Sequence, residues 1–239
     1  MVEADGEEAG GRIVDAAFLQ TFTHLHFQPM STSTNPRTVI LANGATPSHS
    51  IPLSLFAAAE RVVCCDGAYA KAIALGRESD LVVGDGDSLD DAQKTALGER
   101  FVHVAEQETN DLAKAFCVAV ARYGEKGIVI LGADGLRDDH FLGNVFRLID
   151  FAREAPDIML MTNAGVFTVA TNTRTYESTP GDAVSVFAPS HGTQATSVGL
   201  EWPLDGVPLD SLWRGTLNRA TGAEFTISTN RPLIVYRPY

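Results

Sequence analysis

Between residues 38 and 161 the sequence repeats one unit: a short apolar run, a polar cluster bearing glycine or acid, then a helix-length stretch. The apolar runs lie at 38–42, 61–65, 81–84, 101–104, 128–131 and 158–161. Runs this short and rich in Val, Ile and Leu read as strands, and the unbroken Ile128-Val129-Ile130-Leu131 suits a parallel strand covered on both faces. Helices are expected at 53–60, 68–75, from a Ser88 cap to about 99, at 111–123 and at 139–153. The 111–123 helix is the best marked: Asn110 caps it, Leu112, Phe116, Ala119 and Tyr123 share one face, and Gly124 closes it. Strands separated by helices need crossovers, so the expected fold class is α/β, with a Rossmann-like, mainly parallel sheet and helices on both faces.

After Thr162 the pattern changes. Short strands at 167–170, 183–187, 224–227 and 233–236 are separated by turns rich in Gly, Pro, Asn and Ser, without helices. This predicts a small all-β sandwich. The expected division is an N-terminal extension at 1–37, disordered in this reading, an α/β domain at 38–155 and a β domain at 156–239. Asp15 to Met30 has amphipathic character, and His24 and His26 lack a third ligand to make a metal site.

Bulk chemistry narrows the function. A net charge of −12 argues against coating nucleic acid or an anionic membrane. No apolar run reaches membrane-spanning length, and the acidic N-terminus is unlike a secretory leader. Cys64, Cys65 and Cys117 make no disulfide framework and read as reduced thiols filling the core. The expected location is cytoplasmic.

In parallel sheets ligands bind beyond the carboxyl ends of the strands. The polar clusters fall there: Asn43-Gly44, Asp66-Gly67, Asp85-Gly86-Asp87-Ser88, Gln107 to Asp111, and Gly132 to His140. Asp85 and Asp87 flank a glycine, and like charges so close favour a cation between them. Mg²⁺ suits such a pair because it takes one or two carboxylates and completes its shell with water and substrate phosphates. Asp66 and Asp111 converge on the same edge, though Asp-Gly turns and helix-dipole acids also occur without any ligand. Arg137 and His140 add phosphate-binding donors ahead of a helix, unless Arg137 pairs with Asp138 or Asp139. No G-x-x-x-x-G-K-[ST] loop is present.

Taken in order, Cys65-Asp66-Gly67-Ala68, Val83 to Ser88, Gln107 to Asp111 and Gly132 to His140 resemble the thiamine pyrophosphokinase family. Gly199 to Leu204 and Gly215 to Asn218 are similar to its thiamine-binding domain. The resemblance implies Mg²⁺-dependent transfer of pyrophosphate from ATP to thiamine, in a homodimer with active sites at the subunit interface. It implies that Asp85, Asp87 and Asp111 hold the metal, with Gln107, Arg137 and Asp139 completing the catalytic set. Asn43, Gly44, Asp66, Gly67, Ser88 and His140 would line the nucleotide site, and Thr216, Asn218 and Trp202 or Trp213 would meet thiamine. Asn110 replaces a threonine of many relatives, and Gly215-Thr216-Leu217-Asn218 replaces a more serine-rich run. The rival readings are a catalytically weak thiamine- or nucleotide-binding regulator, a phosphatase, and a metal-dependent sugar-nucleotide transferase using Asp85-Gly86-Asp87.

Overall fold

The computed structural model describes residues 37–239. The expected extension, with its amphipathic stretch and His24 and His26, lies outside the described residues except for Arg37. Six strands, β1 (Thr38–Leu41), β2 (Arg61–Cys65), β3 (Leu81–Gly84), β4 (Phe101–His103), β5 (Ile128–Leu131) and β6 (Met159–Met161), run parallel. Their order is β6-β5-β1-β2-β3-β4, so successive crossovers run one way from β1 and the other way from β5. Every residue of β1, β3 and β5 is buried, as is β2 beyond Arg61. That explains why these strands lack polar alternation.

Helices α1 (Ser50–Ala58), α2 (Tyr69–Ala74), α3 (Asp91–Leu97), α4 (Asp111–Tyr123) and α5 (Asp138–Glu154) occupy the crossovers. Helix α4 forms as its sequence dictates: the Asn110 carboxamide accepts from Ala113 N at 2.9 Å, and Gly124 ends it at φ 87°. Its apolar stripe packs on β1, β2 and β3, and Phe116 stacks on Phe151 of α5 at 4.2 Å. Each such buried ring contributes about 1.5–3 kcal/mol. The expected Ser88 cap is corrected. Asp90 caps α3 instead, accepting from Gln93 N at 2.7 Å while the Gln93 side chain accepts from Asp90 N at 2.9 Å. This reciprocal box satisfies two orphan groups where a serine would satisfy one.

The second half adds β7 (Gly165–Ala170), β8 (Thr173–Glu177), β9 (Ala183–Phe187), β10 (Ala195–Val198), β11 (Asn218–Arg219), β12 (Glu224–Thr229) and β13 (Leu233–Pro238). Strand β7 pairs antiparallel with β6, and β13, β9 and β11 follow it in the same sheet. A separate sheet, β10-β12-β8, covers one face of this extension. Period-two alternation divides β13 between two cores. Leu233 and Val235 join Tyr176, Val184, Val186 and Phe225, whereas Ile234 joins the core of the parallel half. Strands β8 and β10 escape sequence reading because their few apolar residues, such as Tyr176 and Ala195, sit among threonine and serine, and β11 because it is only Asn218 and Arg219.

The cysteine expectation holds for Cys64 and Cys65 and is corrected for Cys117, which is exposed on α4. Burial pushes the Cys64 thiol up to about 12 and the Cys65 thiol well above its ordinary value. Native protein should therefore be alkylated at Cys117 alone, with Cys64 and Cys65 reacting only in denaturant. Mass spectrometry showing all three modified at equal rates without denaturant would contradict this packing.

Candidate active site

The carboxyl edge of the parallel sheet is tightly knit at the β1–β5 switch. Gly44 N donates to Gly132 O at 2.6 Å and Ala45 N to Asp134 O at 2.6 Å. A Cβ on Gly44 would stand 2.3 Å from Asp134 O, so only glycine fits. Lys71, from α2, pins this loop by donating to Gly44 O at 2.6 Å, Asn43 Oδ1 at 2.8 Å and Asn43 O at 3.1 Å. A Cβ on Gly67 would lie 2.1 Å from Asn43 Nδ2 and 3.3 Å from Ser88 Oγ. Three residues predicted from separate motifs thus meet at one point.

Beside them, Asp66 is buried at 4% exposure. Its Oδ1 accepts from Gly67 N at 2.6 Å and its Oδ2 from Gly86 N at 3.0 Å, tying the end of β2 to the loop after β3. Burial pushes its pKa above the usual carboxylate range; the two N–H donors oppose that, and the charges of Asp111 and Asp85 add to it. Gly86 takes φ 83°, a left-handed turn that a side chain resists. Asp85 accepts from Asp87 N at 3.1 Å and from Gln107 Nε2 at 3.0 Å. These bonds, with a smaller contribution from Lys114, hold Asp85 below the ordinary carboxylate range. Asp87 is exposed beside it.

Asp111 opens α4, and its Oδ1 accepts from Lys114 Nζ at 3.2 Å. Asn110 Nδ2 donates to Asn144 Oδ1 at 3.1 Å, and buried Asn144 donates to Ala133 O at 3.1 Å, linking α4, α5 and the loop after β5. Glu106 folds the approach to α4 by accepting from Glu108 N, Thr109 N and the Thr109 hydroxyl. Among the described residues no three His, Cys, Asp or Glu side chains are gathered into a group that could enclose a metal ion. Arg137 stands exposed before α5 and forks onto Asp139 through 3.1 and 2.6 Å bonds. That pair holds the Asp139 carboxyl down to about 2. His140 is exposed, and its backbone N–H donates to Asp139 Oδ1 at 2.9 Å.

Sequence reasoning missed Lys71, Lys114 and Asn144. Each lies within a helix, where Lys114 three residues after Asp111 was the one legible signal.

Trp202, Thr216 and Asn218 come together in the β half, in a cleft of about 300 Å³ that Arg214 and Leu217 also line. Asn218 is buried; its Oδ1 accepts from Trp202 N at 3.1 Å and its Nδ2 donates to Trp202 O at 2.6 Å, so it fixes the tryptophan backbone. The Thr216 hydroxyl donates to Trp213 O at 2.7 Å. Leu217 holds a positive φ of 62°, alone in this among the described non-glycine residues. This cleft shares no lining residue with the acidic edge, and a larger groove of about 780 Å³ near Asn172 and Gln194 contains none of the predicted residues.

Comparison with known proteins matches two stretches of the chain to two family models. A family model for the thiamin pyrophosphokinase catalytic domain matches residues 53–160, and one for the substrate-binding domain of that family matches residues 165–236. Among solved structures, yeast thiamin pyrophosphokinase is similar in fold at 14% identity, with a TM-score of 0.72 and 87% of each chain covered. The Bacillus subtilis thiamine pyrophosphokinase gives a TM-score of 0.69 at 21% identity, covering 84% of this chain and 98% of that one. A thiamin pyrophosphokinase family protein from Enterococcus faecalis gives 0.71 at 18%, covering 85% and 99%. No curated protein matches the sequence. A catalytic α/β half joined to a substrate-binding β half defines a two-part transferase. The chain belongs to the thiamin pyrophosphokinase family, whose domains make it a thiamine diphosphokinase.

Asp66→Asn would turn one acceptor into a donor facing a backbone N–H. We expect a stability loss of about 1–3 kcal/mol, read as a lower urea midpoint at unchanged m-value. An unchanged midpoint would show that Asp66 does not hold the loop.

Proposed function

We propose that this enzyme transfers a pyrophosphoryl group from Mg·ATP to the hydroxyl of thiamine, giving thiamine diphosphate and AMP. The observation that carries the reading is the convergence of Asn43, Gly67 and Ser88 beside an Asp85-Gly86-Asp87 loop that Asp66 locks in place. In this reading residues 38–155 handle ATP and residues 156–239 handle thiamine. Asp85, Asp87 and Asp111 would hold Mg²⁺. Their charges and that of Asp66 repel one another, which a divalent cation relieves, and Mg²⁺ needs only one or two protein carboxylates. When bound, the ion would neutralise charge on the phosphate oxygens.

The chain's own groups do the positioning. Gln107, bonded to Asp85, lies beside the reacting phosphates, and Arg137 leaves Asp139 to fork onto phosphate oxygens with His140 nearby. The thiamine hydroxyl oxygen attacks the β-phosphorus, the bond to the α-phosphate bridging oxygen breaks, and AMP departs. A carboxylate of the edge, Asp87 or Asp111, takes the hydroxyl proton. Thiamine rests against Trp202 and Thr216, with Asn218 keeping Trp202 in place.

A homodimer with shared sites is favoured by the large exposed apolar side chains Leu142, Trp213 and Leu217, and by the Trp202 cleft sharing no lining residue with the acidic edge. No described helix is long and apolar enough to cross a membrane, and buried reduced thiols favour a cytoplasmic setting.

Incubation with Mg·ATP and thiamine should yield thiamine diphosphate and AMP in equal amounts. ADP or inorganic phosphate as product would overturn the mechanism, and thiamine binding without turnover would favour a regulator. Asp85→Asn and Asp87→Asn should each lower kcat by about a hundredfold or more with the fold intact. Near-normal rates would remove that residue from the site. With Trp202 and Trp213 both largely exposed, thiamine should quench tryptophan emission, and Trp202→Phe should abolish most of that quench.

A further inference from the structure

Lys114 is the only lysine or arginine buried among the described residues. Its neighbours Ala113, Ala115 and Phe116 are buried too, so an apolar residue would suit this position on α4. Taking an ammonium out of water is unfavourable unless it is paired. The side chain is 3% exposed, and its Nζ lies 3.2 Å from Asp111 Oδ1, whose own side chain is 47% exposed. The field of the ammonium also reaches Asp85 and Glu106, on the loops that follow β3 and β4. Lys71, by contrast, is committed to the carbonyls and carboxamide of Asn43 and Gly44. A buried cation therefore stands behind the carboxylates while their outer face stays open to solvent.

We propose that Lys114 is the positioning residue of this edge: its ammonium grips Asp111 by one oxygen and offsets that charge before the divalent cation and triphosphate arrive. The inference rests on the functional reading above and assigns a role that reading leaves empty. An ammonium held behind the carboxylates opposes a metal ion in front of them. Its removal has two opposite effects. The carboxylates attract a divalent cation more strongly, yet Asp111 loses its fixed orientation and turnover falls. A lysine that only filled space would produce neither.

The test uses the full chain as wild type, Lys114→Met and Lys114→Arg, with Mn²⁺ alone as the binding probe, followed by calorimetry and by Mn²⁺-induced thermal shift. Lys114→Met should bind Mn²⁺ about tenfold more tightly than wild type, because a nearby like charge is gone. Its kcat should fall about a hundredfold with KM for thiamine little changed, and Lys114→Arg should recover most of the rate. Where Lys114→Met does not fold, Lys114→Gln, which keeps a polar tip without charge, carries the same comparison. Unchanged or weaker Mn²⁺ binding in the neutral variant overturns the proposal, as does a kcat within about twofold of wild type. Failure of the functional reading would be separate: wild-type protein that forms no thiamine diphosphate rejects that reading, whereas active wild type with an indifferent neutral variant rejects only the role of Lys114.

Discussion

The acidic edge depends on one buried carboxylate. Asp66 spends both oxygens on backbone N–H groups, one on its own turn and one on Gly86, and so fixes the loop that carries Asp85 and Asp87. The arrangement leaves no slack: a Cβ on Gly84 would come within 2.5 Å of Asp66 Cγ. A carboxylate serves better here than an amide because it accepts twice and donates nothing. Its burial is unfavourable for a charge, and the two donors offset part of that. Asp66 thus sets where the more exposed acids stand.

Much of this was legible in the sequence, and the reasons differ by residue. Strands such as Ile128–Leu131 and Arg61–Cys65 showed their bounds because apolar runs there stop abruptly at glycine or aspartate. Helix α4 was legible at both ends because Asn110 and Gly124 are strong punctuation. The clustering of Asn43, Asp66, Asp85 and Asp111 followed from strand polarity alone, since parallel strands deliver their following loops to one edge. What stayed hidden was contact across elements. Nothing local marks Asn144 as the link between Asn110 and Ala133, or Lys71 as the clamp on the first loop. Ser88 misled because it precedes an apolar residue, whereas the Asp90–Gln93 spacing carried the better cap.

The β half follows a different logic. Its edge strands are sparse in apolar residues, so they are held by pairing with β9 and β12 and not by their own pattern. The buried amide of Asn218 does for Trp202 what Asp66 does for the acidic loop: it immobilises backbone so that an exposed side chain has a fixed address. In both halves the group that orders the site is buried, and the groups available to ligand stand outside it.

The pairing of β6 with β7, Leu160 beside Phe167 and Met161 beside Val166, carries one continuous ladder from the catalytic half into the substrate-binding half. A hinge needs a few residues free to change their backbone angles, and a strand locked on both sides has none to give. A jaw-like closure of the two halves would have to break this ladder. Any sealing of the reaction from water falls to loops and side chains, and the sheet acts as a ruler between the acidic edge and the Trp202 cleft.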